Sequence, residues 1–153
     1  MQLICGKLCD SLWTPELLKQ LINFDQKFFD KPWTLNNWNE TFKNGERYFL
    51  SVTIQDDQIV AFSLYYLIVE ESMAHLLKIL VNPDQRRFRL ATKLSEKSEQ
   101  LLTLLNIKKI VLDVAVGNNS AISFYLNENF EKIHMMNHFY GKGHHAWSMQ
   151  KKI

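Results

Sequence analysis

Three arginines, Arg86, Arg87 and Arg89, follow directly on the turn Asn82-Pro83-Asp84. The stretch before that turn, Lys78-Ile79-Leu80-Val81, reads as a strand, and the stretch after it as a helix. A helix start exposes N–H groups without partners and carries a partial positive charge, so it can hold a phosphate group. Cationic side chains at that end are unfavourable for the helix itself. Either an anion binds there or the arginines form a solvated basic helix end. Further along, Asp113 interrupts the apolar run Val111-Leu112-Asp113-Val114. A buried carboxylate without a partner is costly, so Asp113 either meets a partner or handles a proton. Tyr125 reads as an aromatic that could simply pack in the core.

Other reactive side chains give less. His138, His144 and His145 invite a metal reading, but strand neighbours such as His144 and His145 point to opposite faces, and no metal site is expected. A zinc site at Cys5 and Cys9 would need two further ligands. The pair reads instead as two small residues on one side of an N-terminal strand.

The elements that position these groups follow from periodicity and punctuation. Gln2 to Leu8 suits a strand. Thr14-Pro15-Glu16 is an N-cap with proline at the first helical position, and Leu17, Leu18, Leu21, Ile22 and Phe28 recur at helical spacing. Pro32 breaks that helix, Thr34 caps a second, and Gly45 is expected to end it. Strands Arg47 to Gln55 and Gln58 to Val69 flank Asp56-Asp57, a hairpin turn. A third strand covers Ala74 to Val81. A long helix is predicted from Arg86 to Leu105, with Leu90, Leu94, Leu101, Leu102 and Leu105 as its apolar stripe. Strand Lys109 to Val116, helix Asn119 to Asn127, strand Phe130 to His138 and strand His145 to Gln150 complete the order. The strand–helix–strand unit in the middle is a crossover with parallel strands, and the rest is antiparallel. The fold class is therefore α/β with a mixed sheet of about seven strands and about four helices.

Composition agrees with one domain over residues 1–153. That length closes a core, and a hydrophobic fraction of 46% against 22% charged residues is a globular balance. A net charge of +2 selects neither nucleic acid nor an anionic membrane as partner. No apolar run is long enough to span a bilayer, and the N-terminal residues lack the pattern of a secretory signal. The cytoplasm is the default expectation.

The strand, the Val81-Asn82-Pro83 turn and the basic loop Arg86-Arg87-Phe88-Arg89-Leu90-Ala91 resemble motif A of the GNAT acetyltransferases. Arg89 stands where that family usually has the middle glycine. Asn118-Asn119-Ser120-Ala121-Ile122-Ser123-Phe124-Tyr125, followed by Asn129-Phe130, resembles the family's second motif, with Asn129 in place of a glycine. Lys31-Pro32-Trp33-Thr34, Gly45-Glu46-Arg47-Tyr48-Phe49 and Phe139 to Met149 resemble the bacterial ribosomal-protein-alanine N-acetyltransferases. There His144 and His145 replace an acidic pair, and Gly141-Lys142 replaces Pro-Asp.

The resemblance implies a central pair of splayed parallel strands and acetyl-CoA as co-substrate. Ile79, Leu80 and Val81 would bond the pantetheine arm through their backbone. Arg87, Phe88, Arg89, Leu90, Ala91 and Thr92 would cradle the pyrophosphate, and Asn118 would also touch the cofactor. Asp113 takes the place of the subfamily's glutamate base, and Tyr125 that of its tyrosine acid. Trp33, Phe139 and Tyr140 are expected near the acceptor, and His144 and His145 are expected to alter acceptor preference. An α-amine has a pKa near ~8 against ~10.4 for lysine, so a protein N-terminus is the easier group to deprotonate. No residue stands out as an acyl carrier, so transfer is expected to be direct, in a ternary complex. The acceptor would be a protein or peptide N-terminus, such as that of a ribosomal protein, and the chain a monomer or weak dimer. Two other readings stay open: an acetyltransferase of a small-molecule amine, and a weakly active domain that senses coenzyme A.

Overall fold

A computed structural model describes residues 1–153. Strand β1 (Gln2–Lys7) leads into helices α1 (Pro15–Phe28) and α2 (Leu35–Lys43). Strands β2 (Tyr48–Gln55), β3 (Gln58–Ile68) and β4 (Met73–Val81) follow. Helix α3 (Leu90–Leu104) crosses to β5 (Lys109–Ala115), and α4 (Asn119–Asn127) leads to β6 (Glu131–Met136) and β7 (Ala146–Lys152). The seven strands form one mixed sheet in the order β1-β2-β3-β4-β5-β7-β6. Only β4 and β5 run parallel.

The local chemistry explains these elements. Thr14 accepts the Leu17 N–H, and Thr34 the Asn37 N–H, so each hydroxyl satisfies an orphan donor at a helix start. Asp56 and Asp57 both take positive φ, 50° and 60°, the conformation of a tight two-residue hairpin turn. The sheet is covered on both faces. Leu21 and Phe24 of α1 and Trp38 of α2 pack on Leu50, Val52, Phe62 and Leu64. Leu102 of α3 and Ile122 of α4 pack with Phe49, Tyr65, Leu76, Ile110 and Leu112 on the other face. Burying a leucine such as Leu21 in this way stabilises by roughly 1.5–3 kcal/mol.

Four sequence expectations need correction. The long helix begins at Leu90, not Arg86. Asn82 Oδ1 accepts the Asp84 N–H, Pro83 fixes the next turn, and Pro83–Phe88 winds as a tighter 3-10 segment. Arg89 then adopts φ 54° and ψ 36°, which breaks the winding before the α-helix starts. The stripe of α3 is completed by buried Ser95 and Ser98, while Leu105 lies outside the core. The Ser98 hydroxyl shares a hydrogen bond with that of Ser51 at 2.8 Å, which lets a polar group sit under the sheet. Cys9 lies beyond the end of β1 and is exposed, whereas Cys5 is half-buried in the strand.

Gly45 does not end α2 through a left-handed turn, since Asn44 is the cap. Gly45 is needed for close approach: a Cβ there would stand 2.8 Å from the Cys9 nitrogen and 2.9 Å from the Leu8 carbonyl carbon. Both atoms are backbone and cannot swing aside. Gly45→Ala is expected to destabilise by about 1–3 kcal/mol, read from chemical unfolding, through forced separation of the chain before β2 from the end of β1.

Candidate active site

The parallel pairing of β4 and β5 is short. Met73, Ala74 and His75 bridge Lys109, Ile110 and Val111, and no further residue pairs are bridged. An extra residue at Leu77 shifts the β3–β4 register, between Leu64 opposite Lys78 and Tyr65 opposite Leu76. A bulge of this kind bends its strand, and the β4–β5 ladder ends two residues before it. Beyond the fork, the side of β4 that faces β5 has no ladder partner over Leu76 to Val81. A cleft of about 860 Å³ opens there.

The cleft collects most of the residues that the sequence points to. Ile79, Leu80, Val81, Arg89, Ala91, Thr92 and Asn118 line it, with Asp113, Tyr125 and Tyr140. Arg86 lines it too, so two cations stand at the start of α3. Arg87 and Phe88 are exposed beside the cleft, with the guanidinium 4.9 Å from the Phe88 ring centroid. Leu90 is buried in the core with Leu94 and does not face it. Phe139 is exposed and edge-on to Tyr140. Trp33 packs against Trp38 instead of lining the cleft, and that wall comes from Phe28, Phe29, Asp30 and Lys31.

An anion fits the end of the cleft at α3. The other α-helices each have a side-chain cap, on Thr14, Thr34 and Asn118. Helix α3 has none, so its first N–H groups are left for another acceptor. Arg89 takes the left-handed conformation that glycine adopts freely. The backbone turn that a glycine would give is thus present with an arginine in it. Thr92 has a further task, since its hydroxyl donates to Glu128 at 3.1 Å. Asn118 caps α4 by accepting the Ala121 N–H through Oδ1.

At the fork, Asp113 is half-buried and has a partner. Its Oδ2 lies 3.1 Å from His75 Nε2. The Tyr140 hydroxyl donates to the Asp113 carbonyl oxygen at 3.4 Å. Tyr125 packs edgewise between Phe124 and Phe130. Burial pushes the Tyr125 phenol up to about 12, with a smaller contribution from Tyr140. Burial likewise raises the Tyr140 phenol, and Asp113 adds to it. Both phenols therefore hold their protons well above neutral pH.

The loop between β6 and β7 is fixed by its histidines. His138 Nδ1 accepts the Gly143 N–H at 2.8 Å, and His145 Nδ1 accepts the His138 N–H at 2.9 Å. These bonds set the turn that carries Phe139 and Tyr140, while His144 stays exposed. Nowhere do three metal-ligating side chains come together.

Sequence reasoning missed two ion pairs next to the cleft. His75 drew no attention, because its partner is 38 positions away and only the fold joins them. Lys78 is 3% exposed, and its Nζ lies 2.9 Å from Asp25 Oδ1. Asp25 Oδ2 accepts the Trp33 backbone N–H and the Trp38 Nε1–H. The ammonium also sits 3.9 Å from the Phe29 ring centroid and 4.9 Å from that of Trp33. A single charge within an apolar strand and another on the apolar face of a helix were the available clues.

A family model described as "Acetyltransferase (GNAT) family" matches residues 10–130. An N-alpha-acetyltransferase of Saccharolobus solfataricus is 32% identical over 80 residues, which is 52% of this chain and 48% of that protein. This chain thus spans about half the length of that relative. The [Ribosomal protein bS18]-alanine N-acetyltransferase of Salmonella typhimurium is 30% identical over 112 residues, covering 70% of this chain and 74% of that one. Among solved structures, the ribosomal-protein-S18-alanine N-acetyltransferase from Escherichia coli superposes with TM-score 0.82 at 21% identity, over 99% of this chain and 94% of the other. An aminoglycoside 6'-N-acetyltransferase complexed with coenzyme A gives TM-score 0.80 at 13% identity, over 97% and 96% of the two chains. Those two likenesses concern the fold. With a family match over most of its length, the forked sheet and the uncapped helix beside it, the chain belongs to the GNAT acetyltransferase family.

Proposed function

We propose that residues 1–153 act as one domain that moves an acetyl group from acetyl-CoA to the α-amine of a protein N-terminus. The observation that carries this reading is the cleft itself. At one end lie an uncapped helix start and two arginines, and at the fork lie a carboxylate and two protonated phenols. The likeness to the alanine N-acetyltransferase of Salmonella typhimurium supports the choice of acceptor.

Acetyl-CoA, when bound, supplies an activated thioester. The chain's residues do the rest. Arg86, Arg89 and the first N–H groups of α3 would hold the pyrophosphate. The unpaired edge of β4 over Ile79 to Val81 would bond the amide-bearing arm and offer N–H donors where negative charge develops. Asp113 would accept the proton of the attacking amine, directly or through water. Tyr125 would give a proton or a hydrogen bond to the leaving thiolate. Direct transfer agrees with the cysteines, since neither lines the cleft and burial pushes the Cys5 thiol up, away from a reactive thiolate.

The test is thermal stability with and without acetyl-CoA, followed by thiol release with a peptide bearing a free N-terminal alanine. A shift plus release supports the reading. A shift with release only from polyamines or amino sugars moves the acceptor to a small molecule. A shift with no release from any amine leaves a coenzyme A sensor, and no shift removes the cofactor assignment.

Tyr125→Phe is expected to lower kcat by about ten- to a hundredfold with acetyl-CoA affinity retained. The raised pKa sets the sign of the pH effect. A phenol that ionises at about 12 stays a donor throughout the working range. The variant should therefore lower the plateau of the rate profile without moving its alkaline limb. A displaced limb would mean that Tyr125 titrates in the working range.

A further inference from the structure

His75 and Asp113 meet where the two parallel strands part. His75 opposite Val111 is the last bridged pair of β4 and β5. Asp113 comes two residues later on β5, on the stretch where no ladder bond ties it to β4. Its side chain reaches back across the seam to His75 Nε2, at 3.1 Å. Asp113 lines the cleft, whereas His75 stands behind it, at the closed end of the fork.

An aspartate at the mouth of a fork has a geometric problem. Its side chain is short and turns about two bonds, while a proton acceptor must be held within a few tenths of an ångström of its productive position. The sheet cannot hold it from the β4 side, because the strands have already separated. On the other side, β7 pairs the Asp113 backbone with Ser148, which fixes the strand but not the carboxylate. The imidazole is the group that reaches the carboxylate, and it does so from the last rigid point of the fork.

We propose that His75 is the positioning residue of this site. Its Nε2, 3.1 Å from Asp113 Oδ2, fixes the carboxylate rotamer and leaves Oδ1 for the proton of the acceptor amine. The proposal rests on the reading of Asp113 as proton acceptor. No covalent step involves the imidazole. A purely structural tie between the strands would affect stability but not turnover, and that difference is measurable.

The experiment compares His75→Ala, His75→Gln and Asp113→Asn in the full chain, with acetyl-CoA and the alanine peptide. Thermal melts confirm that each variant is folded. His75→Ala is expected to lower kcat about tenfold or more, with the KM for acetyl-CoA within about twofold of wild type. The amide nitrogen of glutamine reaches about as far as Nε2 and donates, so His75→Gln should restore kcat to within about threefold. A His75→Ala enzyme with wild-type kcat would overturn the proposal, as would a His75→Gln enzyme no better than the alanine variant. Loss of turnover in Asp113→Asn but not in His75→Ala defeats the positioning role alone. Wild-type turnover in Asp113→Asn defeats the reading of Asp113 and the proposal with it. A readout independent of turnover is the proton on His75 Nε2. It should exchange slowly enough to be seen by NMR in the wild-type chain and disappear in Asp113→Ala. Its absence from the wild type would also overturn the proposal.

Discussion

Asp113→Asn is expected to reduce kcat by about a hundredfold to ten-thousandfold, while the chain stays folded and still binds acetyl-CoA. Asparagine keeps the shape and can still meet His75, but it cannot take a proton from an amine. The carboxylate lines the cleft and is not part of the packed core, so its replacement leaves no cavity and strands no buried charge. Steady-state thiol release gives kcat, and the thermal shift with acetyl-CoA shows that binding survives. A loss smaller than about fivefold would remove Asp113 as the proton acceptor. A loss of the thermal shift would mean that Asp113 holds the cofactor instead.

The largest effect on stability is expected at Asp25. Asp25→Ala strands the Lys78 ammonium inside the protein and leaves two tryptophan N–H donors without their acceptor. Removing one partner of a buried pair costs about 3–5 kcal/mol. For a domain of this size each kcal/mol shifts Tm by about 2–4 °C, so the melt should move down by roughly 10 °C. The double change Asp25→Leu/Lys78→Met removes both charges at similar volume and should recover much of that loss. Failure of the double variant to recover would mean that the tryptophan hydrogen bonds, rather than the ion pair, dominate.

The pH dependence of this pair has a definite sign. Burial holds the Lys78 ammonium below the ordinary lysine value of 10.5, against the opposing pull of Asp25. Below 10.5 the unfolded chain binds the proton more readily than the folded chain does. The contribution of Lys78 thus opposes folding at neutral pH and is relieved as pH rises toward 10.5. Without Asp25 the opposing pull is lost, and the relief on raising pH should be larger.

Much of this architecture was legible because it rests on local rules. Thr14 and Thr34 cap helices because their hydroxyls reach N–H groups three residues on, and such spacing is written in the sequence. The Asp56-Asp57 turn and the alternation of Ile110, Leu112 and Val114 are equally local. The start of α3 was misread because helical periodicity cannot distinguish a 3-10 segment from an α-helix, and nothing in Arg89 announces a positive φ. Residue identity was also a poor guide to backbone shape at two places. Arg89 and Asn129 stand where the family pattern has glycine, yet they take φ of 54° and 69°. The turn was kept and the residue was not.

The candidate site divides in the same way. Asp113 and Tyr125 could be singled out because they stand at the positions to which the family resemblance assigns a base and an acid, and Asp113 also because a charge in an apolar strand is visible in isolation. What Asp113 bonds to could not be read, since His75 lies on a strand that meets β5 only through the crossover. Trp33 is placed near the acceptor by the family resemblance of Lys31-Pro32-Trp33-Thr34, with core packing as the other reading. Its surroundings depend on Lys78 and Asp25, whose meeting is a property of the packed molecule.

The short seam between β4 and β5 also shapes how the sheet holds together. Strands β1 to β4 form one ribbon and β5 to β7 another, and three residue pairs join them directly. On one face α3 and α4 bridge the ribbons by packing, but few backbone hydrogen bonds cross the gap. A molecule lodged in the fork is then a clasp as well as a reactant, because it links two halves of the sheet that the chain links weakly. Occupancy at a hundred times Kd adds about 2.7 kcal/mol to folding stability, concentrated where the native hydrogen-bond ladder is thinnest. Amide exchange in the free chain should therefore be fastest along the inner edges of the two ribbons, and it is there that a bound ligand would slow it most.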